Sequence, residues 1–256
     1  MAGTSGPVFD AQRRKHLAGA FLAGGDHYHK VRPGYPSESL QWLVENAAHP
    51  IRDVLDVGAG TGKYTQLLAA HNWSLTAVDP SADMLAQLAG ELPAASTVVG
   101  TAEHLELQDS SMDLAVVAQA WHWCDPWAAS TEIARVLRPG GSLGLIWNQL
   151  DVRTPWVHRL ARIMHAGDVH KPDFHPVIGE EFAPAEPHLT AWSQTLTPEE
   201  IMELAKSRSY YLKASQEVRA KVMKNLQWYL FEHLNHLPGQ DLQLPYLTQT
   251  WRTRKL

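Results

Sequence analysis

Three closely spaced glycines follow an apolar run that ends in an acid, in the segment Asp56-Val57-Gly58-Ala59-Gly60-Thr61-Gly62. Glycine lacks a Cβ and adopts positive φ angles freely, so such a turn lets the backbone come close to a bound ligand. Directly after a predicted strand, a turn of this kind is typical of a nucleotide or nucleoside site. Its spacing indicates which class of ligand fits best.

Two phosphate-binding patterns fit this spacing poorly. A Walker A loop has four residues between its glycines, then Lys followed by Ser or Thr. Here three residues separate Gly58 from Gly62, and Lys63 is followed by Tyr64. A dinucleotide fingerprint requires glycine at the third residue after Gly60, where this chain has Lys63. A pyrophosphate ligand is disfavoured but not excluded, and the turn favours a nucleoside that carries an amino-acid tail.

A second acid follows about 20 positions further on, at the end of the next predicted strand. From that position the carboxylate of Asp79 can accept hydrogen bonds from both hydroxyls of a ribose. The alternative is structural: the glycines would only shape a tight strand-to-helix turn, and Asp79 would only cap the next helix. Because the turn, its leading acid Asp56 and Asp79 occur in register, the combination favours the nucleoside site.

Short β-branched runs alternate with helical patterns along the chain, which predicts a parallel sheet with crossover helices. Ser81 is expected to cap the helix after the second strand, and Thr197 with Glu200 predicts a capping box. A longer helix is predicted at about 216–234, and a turn at 138–141. The predicted strands cover residues 53–57, 75–79, 97–99, 114–117, 143–147, 189–193 and about 244–251.

We expect one domain over residues 1–256. The patterns divide it into an N-terminal lid and helix, a ligand-binding half, a lid or substrate insertion, and C-terminal helices and strands. The boundaries of these parts are 1–48, 49–148, 149–188 and 189–256.

Histidines are frequent in and around the predicted lid, which invites a metal hypothesis. Their spacings match no zinc signature, and the single cysteine, Cys124, excludes a thiolate cluster, so no metal is expected. A solvated, mobile lid is the preferred interpretation of the stretch 167–187. The histidines in question are His158, His165, His170, His175 and His188.

The composition is that of an ordinary globular protein, with 45% hydrophobic and 19% charged residues. The formal net charge of −5 argues against a nucleic-acid partner, since such proteins usually carry a basic face. The apolar runs fall far short of the roughly 20 residues that span a bilayer, and the N-terminus lacks a hydrophobic signal core. We therefore expect a cytoplasmic protein with no membrane or nucleic-acid partner, either a monomer or a homodimer.

Several segments resemble, in order and spacing, the motifs of class I S-adenosylmethionine (SAM)-dependent methyltransferases. They are residues 54–62 (VLDVGAGTG), 78–81 (VDPS) with Met84, 100–103 (GTAE) and 135–141 (RVLRPGG). Residues 32–36 (RPGYP), 119–123 (QAWHW) and 207–210 (SRSY) are similar to the small-molecule branch of methyltransferase type 11, grouped with trans-aconitate methyltransferase-like proteins. The resemblance implies a Rossmann-like α/β fold: a seven-stranded, mostly parallel sheet with an antiparallel last strand and a small helical lid.

The resemblance also implies the cofactor, SAM, with S-adenosylhomocysteine (SAH) as the product. Asp56 and the Gly-rich turn would hold the methionine tail. The turn contributes Gly58, Ala59, Gly60 and Gly62.

Further positions complete the implied cofactor site. Asp79, followed by Pro80, would hold the ribose. One face of the adenine would lie on Met84, and its edge on Ala102 and Glu103, next to Thr101. Tyr28 and Arg32 would close over the cofactor, and Gln119 would lie near the methionyl end.

On the acceptor side, methyl transfer from a sulfonium is an in-line displacement that needs alignment in a dry pocket. A carboxylate acceptor is already ionised, whereas a hydroxyl or an amine needs a base. His122 follows the fourth strand at the edge where ligands collect, and is the candidate base. The alternative is a histidine packed between Trp121 and Trp123 with no proton role.

Four more residues are candidates for the acceptor pocket. Tyr35, Trp123 and Trp147 would line it, or else belong to the core. Asn148 would orient a polar group of the acceptor, or else only fix a turn.

The sequence predicts a methyltransferase that acts on a small molecule, with a carboxylate or hydroxyl as the methyl acceptor. Three alternatives stay open. The chain could be a non-catalytic SAM-binding or interaction protein, or a nicotinamide-dependent oxidoreductase, which Lys63 disfavours. Methylation of protein or nucleic acid is a weaker alternative, because no appended recognition domain or basic groove is apparent.

Overall fold

A computed structural model describes residues 32–166 and 174–256. Tyr28 and His170 therefore lie outside the described residues. The strands are β1 (Asp53–Val57), β2 (Ser74–Asp79), β3 (Ser96–Val99), β4 (Met112–Ala118), β5 (Leu137–Leu150), β6 (Glu186–Leu196) and β7 (Leu242–Arg254). The α-helices are α1 (Ser37–Val44), α2 (Thr65–Leu68), α3 (Ala82–Glu91), α4 (Pro126–Val136), α5 (Pro155–Ile163), α6 (Pro198–Lys206), α7 (Ser209–Lys213) and α8 (Gln216–Gln227). Two short helices of other types are Trp121–Trp123 (3-10) and Trp228–His233 (π).

The strands form one seven-stranded sheet in the order β3-β2-β1-β4-β5-β7-β6. All pairs are parallel except those that β7 makes with β5 and β6. This confirms the predicted fold class, including the antiparallel last strand. The strand order reverses between β1 and β4, and in open α/β sheets ligands bind outside the carboxyl ends of the strands at such a switch point. We call the C-terminal ends of β1, β2, β4 and β5 the carboxyl edge.

The seven predicted strands all exist, but several are longer than predicted. Residues 138–141, predicted as a turn, lie inside β5. The pairing with β4 shifts register between Met112 and Leu114, and Gly140 has a φ of 76°. The glycine therefore makes an irregularity within the strand, which the sequence pattern did not distinguish from a turn.

The predicted helix starts are confirmed by their hydrogen bonds. The Ser81 hydroxyl accepts from the Met84 N–H, and Thr197 and Glu200 form both bonds of a capping box. The long helix predicted at 216–234 is α-helical only to Gln227 and continues as a π-helix. The wider turn lets two consecutive residues, Tyr229 and Leu230, both face the interior.

Alternate residues of the strands point into two apolar layers, since side chains alternate across a strand. Leu55 of β1 belongs to the layer covered by α4, and Val54 to the layer covered by α1, α2 and α3. A third cluster joins α5, α6, α8 and the π-helix over Leu150 of β5 and Leu244 of β7. We call these helices the helical cap.

Strands from residue 53 to 254 share one sheet. The predicted division of the chain into four parts stays a prediction.

The described part of the predicted lid packs against the sheet, so for these residues the solvated lid was wrong. Phe182 is buried, and Phe174 and Ile178 pack on the layer covered by α4. The Gly179 N–H donates to Ser130 Oγ over 2.8 Å. Apolar residues spaced along a histidine-rich stretch make these contacts. The composition of the stretch as a whole did not predict them.

The described ranges contain neither a membrane-spanning helix nor a group of metal ligands. None of their helices has both the length and the apolar character required to cross a membrane. In the same ranges no three His, Cys, Asp or Glu side chains are grouped so that they could hold a metal ion. Of the histidines considered above, His165 stacks on Tyr210 and His188 contacts Glu38.

Candidate functional site

The Gly-rich turn lies at the switch point, pressed against β2. The N–H groups of Gly58 and Ala59 both donate to Val78 O, over 2.7 and 3.1 Å. Gly58, Gly60 and Gly62 all have positive φ angles, of 69°, 55° and 85°. A Cβ on Gly58 would overlap the Cβ of Ala120, after β4. The glycine pattern thus lets the turn fit between β2 and the end of β4.

Asp79 ends β2 and binds the same turn. Its Oδ2 accepts from the Gly60 N–H over 2.9 Å, and its Oδ1 from the Ser81 N–H over 2.8 Å. Burial raises the pKa of Asp79, and these two N–H donors oppose that shift. The carboxylate is therefore fixed in orientation, and each oxygen keeps further acceptor capacity.

Asp56 is fully buried beneath the turn. Its Oδ2 accepts from Thr65 Oγ1 over 2.6 Å, and its Oδ1 has no hydrogen-bond partner among the described residues. The pKa of Asp56 is raised to about 7, because burial and the charge of Asp79 together outweigh the Thr65 hydrogen bond, which lowers it. Sequence reasoning missed Thr65, whose only signal is a hydroxyl in the first turn of the helix after the glycines.

The residues implied for adenine lie around the far side of the turn. Met84 is buried, and its Sδ would lie 3.6 Å from a Cβ built on Gly60. Ala102 is buried, while Thr101 and Pro80 are exposed. Their contacts with a cofactor stay predictions.

Glu103 is tied to the start of α4. Its Oε1 accepts from the Asp125 N–H over 2.8 Å. This bond fixes the side chain beside the loop after β3, where the resemblance places the adenine edge.

Gln119 joins the ends of β4 and β5. It adopts a left-handed backbone with a φ of 56°, and its N–H donates to Ile146 O over 2.8 Å. Its side-chain Nε2 donates to Asn148 O over 2.6 Å. These contacts hold the two strand ends together at the edge where the resemblance places the methionyl end.

Asn148 anchors the segment that precedes α1. Its Nδ2 donates to Gly34 O over 2.7 Å, and its Oδ1 accepts from Thr248 Oγ1 over 2.6 Å. Both ends of the amide thus have protein partners, and Asn148 lies inside β5, so it anchors the crossing segment and β7 and does not fix a turn after the strand.

Residues 32–36 cross the carboxyl edge, and we call them the crossing segment. The Tyr35 ring meets Tyr64, after the Gly-rich turn, at 4.9 Å between ring centroids. At the other end, Arg32 Nη2 donates to Ser207 O over 2.9 Å. Arg32 thus contacts the residue that follows α6 of the helical cap, and its predicted closure over the cofactor stays a prediction.

The aromatic candidates lie near the ends of β4 and β5. Trp121 is buried, and its Nε1 donates to Val177 O over 2.9 Å. The ring of His122 lies 4.4 Å from that of Trp123, and both are half-buried. Trp147 is buried with its ring edge-on to Phe174, so it belongs to the core layer that α4 covers. Its exposure to an acceptor stays a prediction.

Comparison with known proteins places this arrangement in a family. A methyltransferase domain model matches residues 55–145. An uncharacterised methyltransferase of Mycobacterium tuberculosis (strain ATCC 25618 / H37Rv) is 40% identical over 240 residues, which cover 92% of this chain and 95% of that protein. The chain belongs to the class I SAM-dependent methyltransferases.

Membership in the family confirms the cofactor predicted from the sequence, SAM. The methyltransferase also shares its fold with a type II methyltransferase from Anaeromyxobacter dehalogenans, with a TM-score of 0.60, 23% identity and coverage of 87% of this chain and 97% of that one. A malonyl-[acyl-carrier protein] O-methyltransferase of Methylococcus capsulatus is 36% identical over 146 residues, or 54% of this chain and 53% of that protein.

The polar groups left over at the Gly-rich turn fit the methionine tail of the cofactor. Asp56 Oδ1 is a buried acceptor and the Thr61 hydroxyl a buried donor, and neither has a hydrogen-bond partner among the residues described. An α-amino acid offers an ammonium donor and a carboxylate acceptor, which complement these two groups. The methyltransferase thus has unused hydrogen-bonding groups of both kinds beside the turn.

The affinity for SAH is expected to rise with pH, because an ionised Asp56 binds the ammonium better than a protonated one. With a pKa of about 7, the carboxyl changes from mostly protonated at pH 6 to mostly ionised at pH 8, and the affinity should rise about 10-fold. Calorimetric titration across this range measures the effect. Asp56→Asn should flatten the profile, and an unchanged profile in that variant would contradict the assignment.

Proposed function

We propose that this methyltransferase transfers the methyl group of SAM to an oxygen of a small molecule, a carboxylate or a hydroxyl. The observation that carries the proposal is the cover over the carboxyl edge. Asn148 donates a hydrogen bond to Gly34 of the crossing segment, and Trp121 donates one to Val177. The ends of β4 and β5 therefore lie beneath the chain's own segments, which suits a small acceptor better than a macromolecular surface.

One further fact bears on the class of acceptor, and another on the atom that is methylated. The formal net charge is −5, which disfavours a nucleic-acid substrate. The Methylococcus capsulatus relative is named a malonyl-[acyl-carrier protein] O-methyltransferase, and the name supports oxygen as the methylated atom, not the size of the acceptor. Oxygen is therefore the acceptor atom that we propose for this chain.

The cofactor supplies an electrophilic methyl group, and the residues of the chain supply binding and alignment. Asp56 and the Gly-rich turn would hold its methionine tail, and Asp79 its ribose. Gln119 fixes the ends of β4 and β5 relative to each other. Holding the reacting atoms in line accounts for much of the rate enhancement that such a site requires.

Tyr35, Trp123 and Trp147 would keep water from the reacting atoms. An ionised carboxylate acceptor needs no proton acceptor on the protein. For a hydroxyl acceptor, a ring nitrogen of His122 would take the proton.

The test uses SAM with a radiolabelled methyl group and a library of small carboxylic and hydroxy acids. Label that alkali releases as methanol identifies a carboxylate ester, whereas an ether keeps the label. We expect His122→Asn to leave ester formation nearly unchanged, and to slow ether formation by about 100-fold or more. Trp127→Phe, at an exposed residue of α4, serves as the control.

Three results would contradict the proposal. Label transferred only to protein or nucleic acid would exclude the small-molecule class. Transfer to nitrogen or carbon would exclude oxygen as the acceptor. SAH binding with no transfer across the library would favour the non-catalytic alternative.

A further inference from the structure

A buried phenol at the carboxyl edge has no part in the cofactor site. Tyr246 of β7 is 2% exposed, and its hydroxyl has no hydrogen-bond partner in the described ranges. Its ring stacks on Trp192 with centroids 5.1 Å apart, which fixes the direction of the hydroxyl. Buried polar groups in native folds are nearly always bonded, so this hydroxyl calls for a partner.

The positive charges of two arginines influence the pKa of the same phenol. Burial raises the pKa of Tyr246 to about 12, and the positive charges of Arg208 and Arg32 oppose the shift. The phenol therefore keeps its proton at neutral pH and can donate it in a hydrogen bond. Both guanidinium groups are donors only. A ligand that meets all three groups must offer acceptors, and a negative charge suits it best.

This cluster lies between the end of β5 and the start of the crossing segment. Tyr246 pairs with Leu150, two residues beyond Asn148 in β5. Arg32 begins the crossing segment, whose other side reaches Tyr64 through Tyr35. Three residues of extended chain span about 10 Å at most, so the backbone of Arg32 lies within that distance of Tyr35, the residue that packs on Tyr64 after the Gly-rich turn.

We propose that Arg32, Arg208 and Tyr246 form an oxyanion subsite for the acceptor. The subsite binds a carboxylate or phosphate group of the acceptor, while a different oxygen of the same molecule faces the cofactor. The proposal rests on the proposed function and narrows it to acceptors with an anionic group besides the methylated oxygen. Dicarboxylic acids, hydroxy acids and phosphate monoesters of short alcohols have this form.

The test is calorimetric titration of the full chain with glutarate, 3-phosphoglycerate and the neutral dimethyl ester of glutarate, each with and without SAH. We expect the anions to bind and the diester not to bind. Tyr246→Phe and Arg208→Gln should each weaken anion binding about 10-fold or more, because a hydrogen bond to a charged group is lost. Binding of glutarate or of the phosphate ester alone would identify the carboxylate or the phosphate as the source, and either supports the subsite.

Arg162→Gln is the matched control, since it removes the same charge from an exposed residue of α5. Its anion affinity should stay within about twofold of the wild type. Tyr246→Phe should also bind SAH as the wild type does, which separates the subsite from the cofactor site. If Arg208→Gln fails to fold, Tyr246→Phe still decides, because it removes only an oxygen.

The inference is overturned if Tyr246→Phe binds the anions as tightly as the wild type, or if the diester binds as well as glutarate. Loss of anion binding in Arg162→Gln to the same degree would likewise overturn it, since the effect would then reflect net charge. Failure of the wild type to bind SAH would refute the proposed function instead. The anion titrations without SAH give their result in that case as well.

Discussion

Alanine at Gly58 is expected to reduce the affinity for SAH by at least about 100-fold, because it displaces the turn that carries the cofactor site. Two costs add. Gly58 has a φ of 69°, a conformation that costs an L-residue about 1–2 kcal/mol. The new Cβ would also overlap the Cβ of Ala120, and such overpacking costs about 1–3 kcal/mol. The variant should unfold at a lower temperature, and calorimetry with SAH measures the affinity.

Two variants make this test specific. Gly58→Ala combined with Ala120→Gly removes the overlap but keeps the positive φ, so it should recover part of the affinity and part of the stability. Gly90→Ala is the matched control, because Gly90 lies in α3 with open space around it. Alanine there should raise stability by about 0.5–1 kcal/mol and leave SAH binding unchanged. A double variant as weak as Gly58→Ala alone would show that contact with Ala120 is not the cause.

Asp79→Ala is expected to weaken SAH binding by at least about 100-fold. Two ribose hydroxyls would lose an ionised acceptor, and each such hydrogen bond contributes about 1.5–3 kcal/mol. The variant also frees the N–H groups of Gly60 and Ser81, so the turn itself should loosen. Titration calorimetry at fixed pH measures the affinity. Asp83→Ala, an exposed acid of the same helix start, should bind SAH like the wild type.

A ligand without ribose hydroxyls separates the two roles of Asp79. An SAH analogue that lacks both hydroxyls should bind the wild type weakly and lose much less affinity in Asp79→Ala than SAH does. Equal losses for SAH and for the analogue would mean that Asp79 only shapes the turn. That outcome would restore the structural interpretation of the glycine pattern and its following acid.

Local patterns made many elements of the fold predictable from the sequence. The turn at Gly58 and the capping box at Thr197 each depend on residues within a few positions of one another, and Asp79 follows from a spacing of about 20 residues after the turn. The seven strands follow from alternating apolar runs for the same reason. These features were confirmed because neighbouring residues alone determine much of their geometry.

Contacts between distant residues could not be predicted in this way. Asn148 meets Gly34 and Thr248, about 100 residues away on either side. No local sequence pattern predicts these contacts. None predicts that Tyr246 lies near Arg32 and Arg208 either. Phe174 and Phe182 pack on the sheet although the stretch around them has a composition typical of a loop.

The crossing segment has a thermodynamic consequence. It contacts Tyr64, next to the Gly-rich turn, at one end and Ser207, the residue after α6, at the other. A ligand that orders either end lowers the entropy that the second ligand must still remove. Any factor by which SAH tightens the binding of an acceptor must equal the factor by which that acceptor tightens SAH. We therefore expect cofactor and acceptor to bind cooperatively, with each slowing the release of the other.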